Sequence, residues 1–194
     1  MSPQSKSLGL AMYAVKVNPE SKVPALDIDG KIITESLVII ELINDLFPEK
    51  NLLPKDPFQR AQIRFATEFF ASKVWSQFFP VLQAKITKEE FLEQVEPALT
   101  RLNGLLLEQS QTGPYFLGDQ FSLADIALGP FVARILATAS LFEKENLFQF
   151  NAVKQNPRLA EFFKGVVSRP SFKDTYLGDQ LFIDLINKRF SPKF

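Results

Sequence analysis

Residues 18–42 read NPESKVPALDIDGKIITESLVIIEL. Two short apolar runs flank Asp29-Gly30, a dipeptide that strongly favours a tight hairpin turn. Ser36 follows the second run and precedes a stretch with helical periodicity, so we expect it to be the N-cap of a helix. The segment therefore predicts a two-stranded hairpin that leads directly into a helix.

The same segment offers groups that complement a small peptide-like ligand. Extended backbone at Val23-Pro24 presents an N–H and a C=O to a peptide. A helix that begins near Ser36 favours a carboxylate, because its first N–H groups and its dipole attract an anion. Glu35 supplies the charge that an ammonium group needs. A ligand with an amino-acid end and a peptide body fits this pattern, and glutathione is such a ligand.

The order of these motifs resembles the glutathione-binding half of the thioredoxin-like domain of cytosolic glutathione transferases, and omega-like and fungal-type members in particular. In that family a Val-Pro pair with a cis proline binds the cysteinyl backbone of glutathione, and a Glu/Gln-Ser pair binds its γ-glutamyl end. The resemblance implies a glutathione site at Lys22, Val23, Pro24, Glu35 and Ser36. Omega members generally carry a catalytic cysteine, but this chain has no cysteine, so the resemblance implies a serine-type enzyme.

The amino-terminal residues carry the candidate catalytic group. Only 23 residues precede Pro24, so we expect a truncated thioredoxin-like domain that lacks strands. The resemblance implies that Ser2 is catalytic, with Ser5 as a weaker alternative, since a hydroxyl at this turn donates a hydrogen bond to sulfur and favours the thiolate. The alternative is that Ser2 is a frayed terminal residue.

A proline-rich connector follows the first predicted helix. The resemblance implies a partial thioredoxin-like, glutathione-binding domain at 1–50, a linker at 51–57 and an all-helical domain at 58–194. The expected fold is thus a reduced α/β domain joined to an all-α domain, mainly α overall. Periodicity and prolines predict a bend near Pro80, a kink at Pro97 and helices over 36–47, 57–84, 88–109, 122–139, 157–167 and 171–188.

The run FLGDQFSLADIA at 116–127 resembles a persistent motif of the family's helical domain. Ser122 is placed as an N-cap, and Asp125 can reach back to the N–H of that cap. We therefore expect a structural helix start without a catalytic role.

Phenylalanine is frequent, with 20 residues against a single Trp. An apolar substrate pocket is expected at Phe65, Phe69 and Trp75. Helical spacing of this kind also suits a core-facing stripe, which remains the alternative for any one of them. Phe121, Phe162 and Phe163 are expected to be core residues.

Composition narrows the function class. The chain has 22 basic and 22 acidic residues, which predicts no binding to nucleic acid or to an anionic membrane. It has no histidine and no cysteine, so Ser-His-Asp triads, thiolate nucleophiles and the usual zinc sites are excluded, and we expect no metal. No apolar run is long enough to span a membrane, and a cytoplasmic protein is expected.

These observations predict a glutathione transferase-like protein active in detoxification. It would bind glutathione and conjugate it to small hydrophobic electrophiles, or remove it from them. The resemblance also implies a homodimer that packs through the helices at 36–47 and 57–84. The alternatives are a non-catalytic ligand-binding protein and a scaffold protein, because one fold carries all three roles.

Overall fold

A computed structural model describes Asn18, residues 22–142 and residues 150–190 of the chain. The chain divides into two compact units, Met1–Leu53 and Pro54–Phe194. The boundary between them lies inside the linker that the sequence predicts at 51–57. The expected fold class, a small unit with a short sheet and a larger helical unit, is confirmed.

In the first unit, β1 (Ala25–Ile28) and β2 (Lys31–Thr34) form an antiparallel hairpin. Asp29 and Gly30 connect them with φ angles of 52° and 80°, the left-handed conformation that a two-residue hairpin turn requires. The Asp27 carboxylate accepts the N–H of Gly30 at 2.8 Å and closes the turn. Asp29 and Gly30 therefore form the predicted two-residue turn, and this turn sets the register of the two strands.

Helix α1 (Ser36–Leu46) follows the hairpin. The prediction that Ser36 is its N-cap is wrong, because Ser36 is already helical and the N-cap is Glu35. The carbonyl of Glu35 accepts the first helical N–H, from Ile39, at 2.9 Å. Pro48 begins a 3-10 turn (Pro48–Lys50) just after the helix, as expected of a proline that stops it.

In the second unit, capping side chains set the first residue of two of the helices. The Asp56 side chain caps the first of them by accepting the N–H of Gln59 at 2.9 Å. Thr87 and Glu90 form a reciprocal capping box before a helix of 22 residues, whose bounds match the predicted 88–109. The helices described are α2 (Pro57–Phe69), α3 (Phe78–Leu82), α4 (Lys88–Gln109), α5 (Leu123–Phe142), α6 (Asn151–Gln155), α7 (Pro157–Ser168), α8 (Pro170–Lys173) and α9 (Asp179–Phe190).

The single helix predicted over 57–84 is interrupted. After α2 the chain makes a π-helical turn (Phe70–Val74) and a 3-10 turn (Trp75–Gln77) before α3 begins. The irregular segment therefore precedes Pro80, whereas the sequence predicted a bend near it. Proline has no N–H to donate, and restarting the helix at Phe78 puts Pro80 in a first turn, where that loss is tolerated.

The helix predicted over 171–188 is also divided. Helices α8 and α9 are separated by a turn that ends at Gly178, which has a φ of 94°. Gly178 directly precedes α9 in a left-handed conformation, which a continuous right-handed helix does not allow and which glycine adopts without steric cost. The single helix predicted over 171–188 is consequently two short helices and the turn between them.

A buried cation fixes the loop that precedes α5. Arg158 on α7 is 4% exposed, and its guanidinium donates to the carbonyl oxygens of Ser110 at 3.1 Å, Gly113 at 2.5 Å and Tyr115 at 2.5 Å. Backbone acceptors therefore satisfy a charge that would otherwise be costly to bury. A Cβ at Gly165, on the same helix, would lie 2.1 Å from the Pro114 oxygen, so this close approach requires glycine.

Candidate functional site

The hairpin brings two of the predicted binding segments to the same end of the sheet. Ala25 pairs with Thr34, so the residues that flank this pair, Pro24 and Glu35, both lie at the open end of the hairpin. The Val23–Pro24 peptide bond is cis, as the resemblance implies. Val23, the residue before this bond, is 64% exposed.

Lys22, the predicted binding residue that precedes Val23, accepts a hydrogen bond through its backbone. The backbone carbonyl of Lys22 accepts the side-chain amide N–H of Asn18 at 2.7 Å. Asn18 is buried at 8% exposure, so this bond anchors the chain immediately before the cis peptide. The two catalytic candidates, Ser2 and Ser5, lie outside the described residues.

The first turn of α1 is open. The side chain of the N-cap residue Glu35 makes no capping hydrogen bond, and the first turn contains no acidic residue. Ser36, Leu37 and Val38 are all exposed there. Glu35 adopts a φ of 68° and a ψ of 116°, a sparsely populated conformation for a residue with a side chain. The first-turn N–H groups, together with the helix dipole, suit a carboxylate.

The residues predicted to form a substrate pocket have different surroundings. Phe65 is 53% exposed on α2, and its ring centroid lies 6.2 Å from that of Phe69. Phe65 borders a shallow surface depression that neither Phe69 nor Trp75 lines. Trp75 packs instead in an aromatic cluster, with its ring centroid 5.0 Å from Phe131 and 5.5 Å from Phe78. Within the described part of the chain, Phe65 and Trp75 thus have different surroundings, and a shared substrate pocket stays a prediction.

A cavity of about 510 Å³ lies in the helical unit, between α5, the end of α7, the turn after α8, and α9. Sequence reasoning missed it, because its walls come from segments distant in the chain. Phe121 was expected to be a core residue, but it is only half-buried and lines this cavity. Phe162 and Phe163 are buried, as predicted. The other principal walls are Ile126, Pro130, Arg134, Val166, Phe172, Tyr176, Leu181, Phe182 and Leu185.

Two polar side chains at this cavity have shifted pKa values. The Tyr176 hydroxyl donates to Asp179 at 2.6 Å, and burial together with this bond raises the pKa of the phenol. Burial lowers the pKa of Arg134, which nevertheless stays charged because a guanidinium does not deprotonate in proteins. Among the described lining residues, Arg134 is therefore the one cation in a largely apolar wall.

The start of α5 contains the predicted structural pair. The Asp125 carboxylate accepts the backbone N–H of Ser122 at 2.7 Å and its hydroxyl at 2.8 Å. Burial raises the pKa of Asp125 to about 6, while the hydrogen bonds from Phe116 and Ser122 act in the opposite direction. This arrangement holds a helix start and its loop together.

Within residues 22–142 and 150–190, no helix has the length and apolar character needed to cross a membrane. The same residues contain no group of three or more carboxylates placed to hold a metal ion. Histidine and cysteine are missing from the whole sequence.

Family models of known proteins match part of each of the two units. The family model described as "Glutathione S-transferase, N-terminal domain" matches residues 10–51, and "Glutathione S-transferase, C-terminal domain" matches residues 86–165. The crystal structure of glutathione transferase Omega 1C from Trametes versicolor is similar in fold, with a TM-score of 0.75 and 28% identity over 92% of this chain and 80% of that one.

Two curated relatives are similar to this chain in sequence. The probable maleylacetoacetate isomerase of Caenorhabditis elegans is 39% identical over 124 residues, which cover 60% of this chain and only 57% of that protein. Glutathione S-transferase L3 of Arabidopsis thaliana is 30% identical over 180 residues, which cover 93% of this chain and 71% of that protein. With both domains matched and a relative of this identity aligned over most of its length, the chain belongs to the glutathione S-transferase family.

Proposed function

We propose that this chain binds glutathione at a cradle formed by Lys22, Val23, Pro24, Glu35 and Ser36. The observation that carries the proposal is the open first turn of α1, which lies at the same end of the hairpin as Pro24. In the proposed complex the γ-glutamyl carboxylate binds the first-turn N–H groups and the Ser36 hydroxyl. The Glu35 carboxylate pairs with the ligand's ammonium group, and the Val23 backbone pairs with the cysteinyl residue.

We further propose conjugation of glutathione to small hydrophobic electrophiles, or its removal from them. In this reaction the Ser2 hydroxyl donates a hydrogen bond to sulfur and stabilises the thiolate, with Ser5 as the weaker candidate. The thiolate then forms a carbon–sulfur bond and displaces the leaving group. Residues 1–50 form the glutathione-binding domain of this proposal and residues 58–194 the helical one, in a cytoplasmic homodimer with a role in detoxification.

Turnover of 1-chloro-2,4-dinitrobenzene with reduced glutathione tests the catalytic part. We expect slow turnover that Ser2→Ala abolishes and that Ser5→Ala, the matched control, largely retains. Turnover that neither change affects would contradict the assignment of the thiol-activating group. Glutathione binding without any turnover would instead favour a non-catalytic ligand-binding protein.

A glutathione-dependent isomerase is the second candidate. The identity of 39% with the nematode probable maleylacetoacetate isomerase favours it, although the aligned part spans little more than half of that protein. The same preparation is assayed with maleylacetoacetate, with and without glutathione. Isomerisation that requires glutathione, faster than conjugation of the chlorinated aromatic, would favour this candidate over the first.

A further inference from the structure

Helix α4 contains a dipeptide that is chemically labile in an unfolded chain. Asn103 is followed by Gly104, and none of the other asparagines of the sequence precedes a glycine. In an Asn-Gly pair the backbone nitrogen of the glycine can attack the side-chain amide, because glycine has no Cβ to hinder the approach and reaches the conformations that the attack needs. The pair lies inside α4, more than one helical turn before its last residue, Gln109.

The folded chain holds both reacting groups away from this reaction. Asn103 is 7% exposed, and its side-chain oxygen accepts the backbone N–H of Leu159 on α7 at 3.1 Å. Gly104 lies within the helix, so its N–H points along the helix axis and not at the preceding side chain. Closing a ring between the two residues requires a backbone rotation that breaks the helix. The reaction is therefore blocked while α4 and α7 stay packed together.

The packing around Gly104 does not itself require a glycine. Among the described residues, a Cβ there would meet Nη1 of Arg101 at 3.2 Å, which is the end of a flexible and exposed side chain. By contrast, a Cβ at Gly165 would overlap the backbone of Pro114. Alanine is also more favourable than glycine in a helix interior. An alanine at position 104 is thus compatible with the fold, which makes the role of this glycine open to a direct test.

We propose that Asn103-Gly104 is a site of spontaneous deamidation that opens only when α4 unfolds. The Gly104 nitrogen forms a bond to the side-chain carbonyl carbon of Asn103 and gives up its proton. The bond from that carbon to the amide nitrogen breaks, and ammonia leaves. Water then opens the resulting succinimide at one carbonyl to give aspartate, or at the other to give isoaspartate. The net reaction converts asparagine and water into an acid and ammonia, with no change of oxidation state.

The two products differ in how far they disturb the helix. Isoaspartate leads the main chain through the side-chain carbon, which adds a backbone atom and breaks the hydrogen-bond register of α4. Aspartate keeps the backbone, but it places a carboxylate at a buried position beside Leu159. Unfolding of this chain should therefore become irreversible with time, as isoaspartate accumulates at position 103.

Peptide mapping of the full chain tests whether the fold protects the site. Trypsin releases the segment 102–134, in which Asn103 is the single asparagine. It also releases the segment 174–188, in which Asn187 precedes a lysine and serves as an internal reference. At mildly alkaline pH we expect Asn103 to be lost about tenfold faster or more in guanidinium chloride than in native buffer, and about tenfold faster than Asn187 in the same unfolded sample.

Two variants separate this reaction from other damage. Gly104→Ala hinders the attacking nitrogen, and Asn103→Ser removes the reacting amide but keeps a side-chain oxygen near the Leu159 N–H. We expect the refolding yield of the parent, measured by size-exclusion chromatography, to fall in step with isoaspartate formation in the segment 102–134, and both variants to keep their yield. Asn187→Ser, at an exposed position, is the matched control and should lose yield as the parent does.

Three results would overturn the proposal. The first is an equal rate of Asn103 loss in the folded and the unfolded chain, which needs no variant to measure. The second is isoaspartate at position 103 in the refolded fraction at the same share as in the fraction that fails to refold. The third is a loss of refolding yield in Gly104→Ala or Asn103→Ser that is as fast as in the parent.

Discussion

The Asp125 carboxylate accepts two hydrogen bonds from Ser122, one from its backbone N–H at 2.7 Å and one from its hydroxyl at 2.8 Å. The other carboxylate oxygen accepts the N–H of Phe116 at 2.7 Å. All three residues are buried. One side chain thereby joins the first turn of α5 to the loop that precedes it, and satisfies two buried backbone donors.

Removal of this carboxylate should destabilise the helical unit. Asp125→Ala leaves the N–H groups of Phe116 and Ser122 buried without acceptors, so we expect a loss of about 2–4 kcal/mol in the free energy of unfolding. Ser122→Ala removes only the hydroxyl and should cost about 1 kcal/mol. Urea unfolding measures both. Asp119→Ala, at an exposed position in the same loop, is the control and should stay within about 0.5 kcal/mol; an equal loss there would contradict the assignment.

The pKa of Asp125 also predicts a pH dependence. Burial raises this pKa from 3.8 to about 6, so the folded state binds a proton more tightly than the unfolded state does. The resulting stabilisation is fully present below pH 3.8 and is lost as the pH rises through about 6. The stability difference between the parent and Asp125→Asn should therefore shrink between pH 4.5 and pH 7. A difference that grows over this range would mean that the hydrogen bonds outweigh burial.

The loop before α5 should depend on Arg158 for its stability. Arg158→Ala removes donors from the carbonyl groups of Ser110, Gly113 and Tyr115, and we expect a loss of about 3 kcal/mol or more. Arg158→Lys should recover little, because a single ammonium group does not span these acceptors. Thermal and urea unfolding test both variants. Arg101→Ala, which breaks an exposed ion pair to Glu108, should cost less than about 1 kcal/mol.

Local signals predicted much of the fold. Asp29-Gly30 specified the hairpin because both residues adopt positive φ there. The bounds of α4 matched prediction because its start is set by the Thr87 capping box, a local feature. The prediction was wrong where an element's end depends on its neighbours. The helical periodicity of apolar residues continues across the segment before Pro80 and across Gly178. It therefore could not show that the helix is interrupted at each of these places.

The candidate sites also differ in how well local sequence predicts them. Val23-Pro24 and Glu35-Ser36 could be identified because they are adjacent to one hairpin, and the sequence carries them together. The cavity beside Arg134 could not, since its walls come from α5, α7 and α9.

The exposed face of α2 predicts self-association. Phe58 and Phe65 lie seven residues apart, hence on one face of the helix, and are 80% and 53% exposed. Large apolar side chains grouped on a surface are typical of a protein interface, and a two-fold axis would pair this face with its copy. We expect a dimer in sedimentation at tens of micromolar, and a monomer for Phe58→Glu with Phe65→Glu. Gln59→Glu, on another face of α2, is the charge control; a parent that sediments as a monomer would contradict the prediction.

Calorimetric titration with reduced glutathione tests the central proposal most directly. We expect the parent chain to bind, and Ser36→Ala to weaken binding by about 1–2 kcal/mol because a charge-assisted hydrogen bond to the ligand carboxylate is lost. Ser168→Ala, at an exposed serine that ends α7, should bind as the parent does. If the folded parent releases no heat with millimolar glutathione, or if Ser36→Ala binds as tightly as the parent, the proposed cradle is contradicted.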